Sequence, residues 1–160
     1  MERTSQQKGK FAEFLVFSKL IEEGADLYLP VIDTGIDAVV RQKDGTYKEI
    51  QVKSTEKEWS LAAWVPDNLQ LLRRRFIVWV DMSKSKENPE IWVFPGEIFK
   101  DYSTKIGAEQ NFTHRRLDLG GTRRGDDQPR CVLLNKYCDA WRLLTGDIRG
   151  ESKRGEASLT

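Results

Sequence analysis

The sequence predicts an α/β sandwich in which helices flank a mixed central sheet. A helical pattern at the start of the chain is followed by three strand-like segments. Later, residues 75–82 form a nearly continuous apolar run of strand length, which is typical of a strand buried on both faces. A strand at 90–95 is expected to pair beside it.

The elements can be assigned in order. A helix is predicted over residues 5–23, with Ser5 or Thr4 as its N-cap and Gly24 just beyond its end. Three strands in a meander are predicted at 26–33, 35–42 and 47–54, the last two joined by a hairpin at Asp44-Gly45. Short helices are predicted at 97–102 and 135–147, and a loop is predicted at 115–130.

Length and composition indicate one domain. The chain has 160 residues, of which 39% are hydrophobic, and we assign residues 1–148 to one domain and 149–160 to a flexible tail. No apolar run reaches the roughly 18 residues of a membrane span, and the polar N-terminus does not resemble a signal peptide, so a cytoplasmic protein is expected. The net charge of +1 does not by itself demand an anionic partner. Cys131 and Cys138 fit neither a zinc nor a redox spacing.

Glu13 is a carboxylate within the apolar stripe of the first helix. At helical spacing it shares a face with Val16, Phe17 and Leu20. A carboxylate that faces a core costs free energy unless it is protonated, paired or bound to a cation. Two interpretations stay open: Glu13 pairs with a buried basic residue, or Glu13 is a ligand.

Two aspartates flank the turn in "DTGID". For Asp33 we predict local hydrogen bonding within the turn. Asp37 begins the apolar run 38–40, so it lies at the mouth of a strand and shares a face with Val39. We therefore expect the Asp37 carboxylate to face covered space.

Polar and apolar residues alternate in "KEIQVKS", residues 48–54. Ile50 and Val52 share one face of the predicted strand, and three polar side chains share the other. A solvent-facing edge explains this pattern, as does a half-buried functional face. The helix carboxylate and the aspartate at the strand entry favour the functional face. The polar members are Glu49, Gln51 and Lys53.

An acidic helix residue, an aspartate in "GIDAVV" and the tripeptide Gln51-Val52-Lys53 together resemble the PD-(D/E)xK nuclease superfamily. The matching residues span about the first third of the chain. The resemblance implies a restriction-endonuclease-like sandwich with an αβββαβ core. Ile36 stands where the superfamily motif has proline, and Gln51 stands where most members have an acid. The form "GID…IQVKS" is similar to small bacterial nuclease-like domains with this amide, and some homing endonucleases share the exchange.

The resemblance implies a site that uses Mg²⁺ or Mn²⁺ to hydrolyse phosphodiester bonds. Asp37 is then the central metal ligand, Gln51 adds its amide oxygen, and Val52 adds a backbone carbonyl. Glu13 holds a water of the metal or completes its shell. Lys53 orients the attacking water and stabilises the charge that develops on the phosphate.

Candidate phosphate contacts are spread along the chain. Each has a plainer interpretation, as a solvated charge or as a core aromatic. The basic candidates are Lys8, Lys10, Arg73, Arg74, Arg75, Arg115, Arg116, Arg123 and Arg124. Trp59 and Trp64 are candidate groove aromatics, and His114 is a candidate surface or phosphate contact.

Two function classes follow. The first is a metal-dependent endonuclease whose partner is nucleic acid, with DNA preferred over RNA. The second is a catalytically weak or inactive domain of the same fold that binds nucleic acid or a protein partner. Gln51 keeps the second class open, with Glu49 as the reserve carboxylate if the amide is a poor ligand. The sequence also leaves a homodimer open.

Overall fold

The computed structural model describes residues 3–146, which form two β-sheets and five α-helices. The helices are α1 (Ser5–Glu22), α2 (Leu69–Arg74), α3 (Gly96–Tyr102), α4 (Arg130–Leu133) and α5 (Arg142–Thr145). The strands are β1 (Asp26–Tyr28), β2 (Ala38–Arg41), β3 (Tyr47–Thr55), β4 (Ser60–Pro66), β5 (Arg75–Asp81), β6 (Glu90–Pro95), β7 (Thr104–Glu109) and β8 (Phe112–Asp118). The tail predicted at 149–160 lies outside the described residues. In the described part of the chain, no helix has both the length and the apolar character that crossing a bilayer requires.

The central sheet has five strands in the order β1-β2-β3-β5-β6. The pair β3–β5 is parallel and the other neighbours are antiparallel, so the predicted mixed sheet is confirmed. The β2–β3 hairpin turns at Asp44-Gly45 as expected, with Gly45 at φ +83°. β1 ends earlier than predicted and β2 starts later, because the segment between them contains Pro30 and a turn in which Asp33 Oδ1 accepts a hydrogen bond from Gly35 N–H at 2.9 Å.

Helix α1 covers one face of this sheet. Thr4 is its N-cap and forms a capping box with Gln7. The buried side of the helix packs on the face of β3 that carries Ile50 and Val52. The helix therefore lies behind the apolar face of β3, and the polar face points the other way. The buried helix residues are Ala12, Val16, Phe17 and Leu20.

A second sheet, which the sequence did not predict, covers the other face. Its three antiparallel strands have the order β4-β8-β7. β5 is buried along its whole length, as predicted, because Ile77 and Trp79 pack towards this second sheet. The loop predicted at 115–130 is wrong at both ends. Its first residues belong to β8, and its last residue, Arg130, is the first residue of α4.

The helix predicted at 135–147 is also wrong. A 3₁₀ turn occupies Asn135–Tyr137, and helix begins again only at Arg142. The chain between them pairs with β6 instead: Asp139 N–H donates to Ile91 O at 2.8 Å, and Asp139 adopts φ +50°. Contact with the sheet thus overrides the helical pattern. The last residue of the predicted helix, residue 147, lies outside the described residues.

Candidate active site

Asp37 lies against the edge of β3. Its backbone N–H donates to Ile50 O at 2.8 Å, and its Oδ2 accepts a hydrogen bond from Val52 N–H at 2.6 Å. Burial raises the pKa of Asp37 above its ordinary value of 3.8, an effect that the Val52 hydrogen bond opposes. The negative charge of Glu13 raises this pKa further, and the positive charge of Lys53 lowers it. The carboxylate is therefore half-buried and lies within electrostatic range of two other predicted site residues.

Gln51 lies on β3 between these two contacts, on the face opposite α1. Its side chain is only 6% exposed, and its Oε1 atom has no hydrogen-bond partner among the described residues. A buried carbonyl oxygen without a donor is costly, so such an atom is a sign of a missing ligand or water. Lys53 lies two residues further along and so shares this face of the strand.

Glu13 lies on the side of the sheet that α1 covers, and its negative charge acts on Asp37 from there. We expected the helix and the polar face of β3 to line one cavity, but α1 packs on the apolar face. The Glu13 side chain is 17% exposed and pairs with Lys10 on its own helix, at 2.6 Å. The basic partner is thus an exposed lysine rather than a buried one, and the pair lies at the rim of the site.

Arg75 and Glu49 form a largely buried ion pair across the parallel strands. Arg75 Nη2 lies 3.2 Å from Glu49 Oε2, and Arg75 Nη1 donates to Gly35 O at 3.5 Å. The pair therefore ties the loop that precedes Asp37 to β3 and β5. Because the two residues pair with each other, Arg75 is not free to contact a phosphate and Glu49 is not free to serve as the reserve carboxylate.

These residues suit a hard divalent cation. In the described residues no group of three or more His, Cys, Asp or Glu side chains is arranged to hold a metal, so a cation beside Asp37 would also need amide or backbone oxygens. The unpartnered Gln51 oxygen meets this need. The Val52 carbonyl oxygen is on the same side of β3 as Asp37, because in a strand the N–H and C=O of one residue point to the same side and the Val52 N–H points at Asp37. Mg²⁺ prefers oxygen ligands of this kind.

A groove of about 330 Å³ opens beside Gln51. One wall is the loop at Thr34 and Gly35, and the other is formed by aromatic side chains of the second sheet and by the β7–β8 turn. The turn has Gln110 at φ +49°. The aromatic and turn residues are Trp64, Glu109, Gln110 and Phe112.

Sequence reasoning included Trp64 but missed Phe112 and the turn. The available signal was Gln110-Asn111, a polar pair between two segments of strand length. His114, the only histidine, stacks on Trp64 with ring centroids 4.6 Å apart. Trp59 instead packs beside the core, with Lys84 over its ring.

The predicted phosphate contacts lie on several different elements. Some are committed to contacts within the protein: Lys8 pairs with Glu56, Arg73 pairs with Glu97, and Arg115 donates to Ser103 Oγ and O. Arg123 donates to the backbone carbonyl of residue 101. The side chains of Arg74, Arg116 and Arg124 are exposed, with Arg116 on the outer face of β8.

No protein-family model and no curated protein sequence matches the chain. Among solved structures, the chain is similar to a bacterial homing endonuclease, I-Ssp6803I, with 22% identity over 89% of this chain and 91% of that chain and a TM-score of 0.55. The chain has the restriction-endonuclease-like fold. It is also similar to Hjc, a Holliday junction resolvase from Archaeoglobus fulgidus, with 16% identity over 69% of this chain and 84% of that chain and a TM-score of 0.44.

The fold predicted from the sequence is thus confirmed. In this fold the β2–β3 hairpin places Asp37 and the tripeptide from Gln51 to Lys53 side by side. The identities are low, so the similarity establishes architecture and leaves the chemistry to the side chains.

Proposed function

We propose that this protein is a metal-dependent endonuclease that hydrolyses phosphodiester bonds in DNA. The observation that carries the proposal is the buried, unpartnered Oε1 of Gln51 next to the Asp37–Val52 hydrogen bond. A polar atom left unsatisfied in a buried position is often part of a functional site. The similarity of the fold to a homing endonuclease supports nucleic acid cleavage as the reaction.

Asp37, Gln51 and the Val52 carbonyl would hold Mg²⁺ or Mn²⁺, with Glu13 completing the shell. The cation, when bound, neutralises charge on the phosphate and lowers the pKa of an attacking water. It also favours the ionised form of Asp37, whose pKa burial and Glu13 raise in the metal-free protein.

Lys53 would act on the substrate directly. Its ammonium lies on the same face of β3 as Gln51 and close enough to Asp37 to lower the pKa of that carboxyl. A fixed positive charge at this position stabilises the negative charge that develops on the phosphate oxygens. Lys53 would also donate a hydrogen bond to the attacking water and orient it.

Glu13 would add negative charge at the metal, and Lys10 would add positive charge next to it. The site has fewer acids than a three-carboxylate centre, so each remaining carboxylate carries more of the metal's charge. The ion pair with Lys10 holds Glu13 towards the rim, where Lys10 is exposed and can contact a phosphate.

A substrate and metal panel tests the proposal. Supercoiled, linear and branched DNA and RNA are incubated with wild type, Lys53→Met and Lys57→Met in Mg²⁺, in Mn²⁺ and in EDTA. Lys57 is the matched control because it is exposed beyond the end of β3.

We expect wild type and Lys57→Met to cleave DNA in metal and not in EDTA, and Lys53→Met to lose at least about a hundredfold in rate. Binding without cleavage in either metal would favour the alternative, a nuclease fold that no longer cuts. Size-exclusion chromatography of the same samples tests whether the protein forms a homodimer.

A further inference from the structure

Trp64 and Phe112 form an aromatic wall of the groove that contains Gln51. They are 36% and 38% exposed, so part of each ring is open to a ligand. His114 stacks on Trp64 with an angle of 11° between the rings, and this contact holds the indole ring in place. The wall is therefore prearranged for another flat ring.

Hydrogen bonds also tie the two parts of this wall to each other. Asp67 N–H donates to Asn111 O at 2.9 Å, and Thr113 Oγ1 donates to Asp67 Oδ1 at 3.0 Å. These two bonds tie the β7–β8 turn to the end of β4. Because the turn is held against β4, the aromatic wall keeps its shape without a ligand.

The charges at the groove disfavour a phosphate as its occupant. Arg75, the basic residue of the lining, is paired with Glu49, and Glu109 contributes a carboxylate. A phosphate here would meet an uncompensated negative charge, whereas a neutral aromatic ring would not. The volume of about 330 Å³ is at the lower end of the range for small-ligand sites, about 300–1,000 Å³, which suits a single base.

We propose that this groove binds one unpaired nucleobase next to the scissile phosphate, stacked on Trp64 and flanked by Phe112. The inference rests on the proposed function, because Gln51 belongs to both the metal site and the groove. A paired base cannot enter, since its faces are covered by neighbours in the duplex. The unpaired base comes either from a bulge or branch or from extrusion out of a duplex.

The test compares two DNA duplexes with the same single-nucleotide bulge, one in which the bulged nucleotide carries its base and one in which it is abasic. Affinity is measured in Ca²⁺ and cleavage in Mn²⁺, for wild type, Trp64→Ala, Trp64→Phe and Tyr47→Ala. Tyr47 is the control because it is an exposed aromatic at the start of β3 that contacts Tyr28 of the edge strand β1 and does not line the groove. Trp64→Phe keeps a ring at the site and guards against a loss caused by misfolding.

We expect wild type and Tyr47→Ala to bind the bulged duplex about tenfold or more tightly than the same duplex with an abasic bulge. Trp64→Ala should lose this preference, and Trp64→Phe should retain part of it. An equal preference in wild type and Trp64→Ala would overturn the proposal.

A fluorescent base, 2-aminopurine, at the cleavage position of the fully paired duplex distinguishes the two sources. A signal change with wild type but not with Trp64→Ala indicates extrusion, and a response confined to the bulged duplex indicates a preformed unpaired base. Either response supports the groove. If wild type cleaves nothing but keeps the Trp64-dependent preference, the nuclease proposal fails while the base site stands. If wild type cleaves with no such preference, only the base site fails.

Discussion

The Val52 N–H donates to Asp37 Oδ2 at 2.6 Å, and this bond joins the two halves of the candidate site. It fixes the carboxylate at the edge of β3, between the helix residue Glu13 and the strand residue Lys53. The same burial that positions Asp37 raises its pKa, so the metal-free site holds a carboxylate in an unfavourable environment. The predictions below follow from this arrangement.

Asp37→Asn should stabilise the metal-free protein at neutral pH. A carboxyl with a raised pKa in the folded state favours folding only while it is protonated, and this contribution is lost as pH rises through the folded pKa. The melting temperature of Asp37→Asn should therefore match wild type at acid pH and exceed it increasingly towards neutral pH. Adding Mg²⁺ should raise the melting temperature of wild type only. A difference in melting temperature between Asp37→Asn and wild type that becomes smaller with rising pH would contradict this explanation.

Gln51→Met should separate stability from metal binding. The change removes the unpartnered oxygen at similar size, so the free energy of unfolding should rise by about 1 kcal/mol. Affinity for Mn²⁺ in calorimetric titration should fall by at least about tenfold, since even indirect metal contacts are worth that much. Gln42→Met is the control, because Gln42 Nε2 donates to Leu144 O at 2.8 Å. That variant should lose stability and keep its metal affinity.

Glu13→Gln should lower metal-dependent cleavage by about tenfold to a hundredfold. Its control is Glu22→Gln on the same helix, because Lys19–Glu22 is an i,i+3 ion pair like Lys10–Glu13, at 3.0 Å against 2.6 Å. Both variants lose one ion pair, but only Glu13 lies near Asp37. Equal rates for the two variants would remove Glu13 from the site.

Arg75→Met should destabilise the fold by about 3 kcal/mol, because it leaves the Glu49 carboxylate buried without its partner. Arg75→Met combined with Glu49→Leu should recover most of the loss in chemical denaturation. Cleavage should stay low in the double variant, since the loop at Gly35 loses its tie to β5. A double variant no more stable than Arg75→Met would argue against the ion pair as the cause.

The sequence predicted the elements whose patterns are local. Thr4 caps α1, Asp44-Gly45 turns the hairpin, and the buried run becomes β5. The second sheet was missed because β8 mixes an inward-facing Arg115, bonded to Ser103, into its alternation, which hides the period of two. Pairing with β6 broke the last helix in a way that residues 135–147 alone do not reveal.

The part of the candidate site that depends on local sequence was also predicted. Motif residues on one hairpin are close in sequence, so Asp37 and Gln51 could be placed together. The commitment of Arg75 to Glu49 depends on the parallel register of β3 with β5, which local sequence does not specify. The aromatic groove also combines distant segments, since Trp64 and Phe112 come from different parts of the chain.

The most direct test compares Asp37→Ala with Asp33→Ala in nicking of supercoiled DNA in Mg²⁺ or Mn²⁺. The two aspartates flank one turn, but Asp33 is exposed and accepts a bond from Gly35 N–H, whereas Asp37 reaches β3. We predict that Asp37→Ala loses at least about a hundredfold in rate and that Asp33→Ala stays within about fivefold of wild type. Metal-dependent nicking by Asp37→Ala at the wild-type rate would contradict the proposed site.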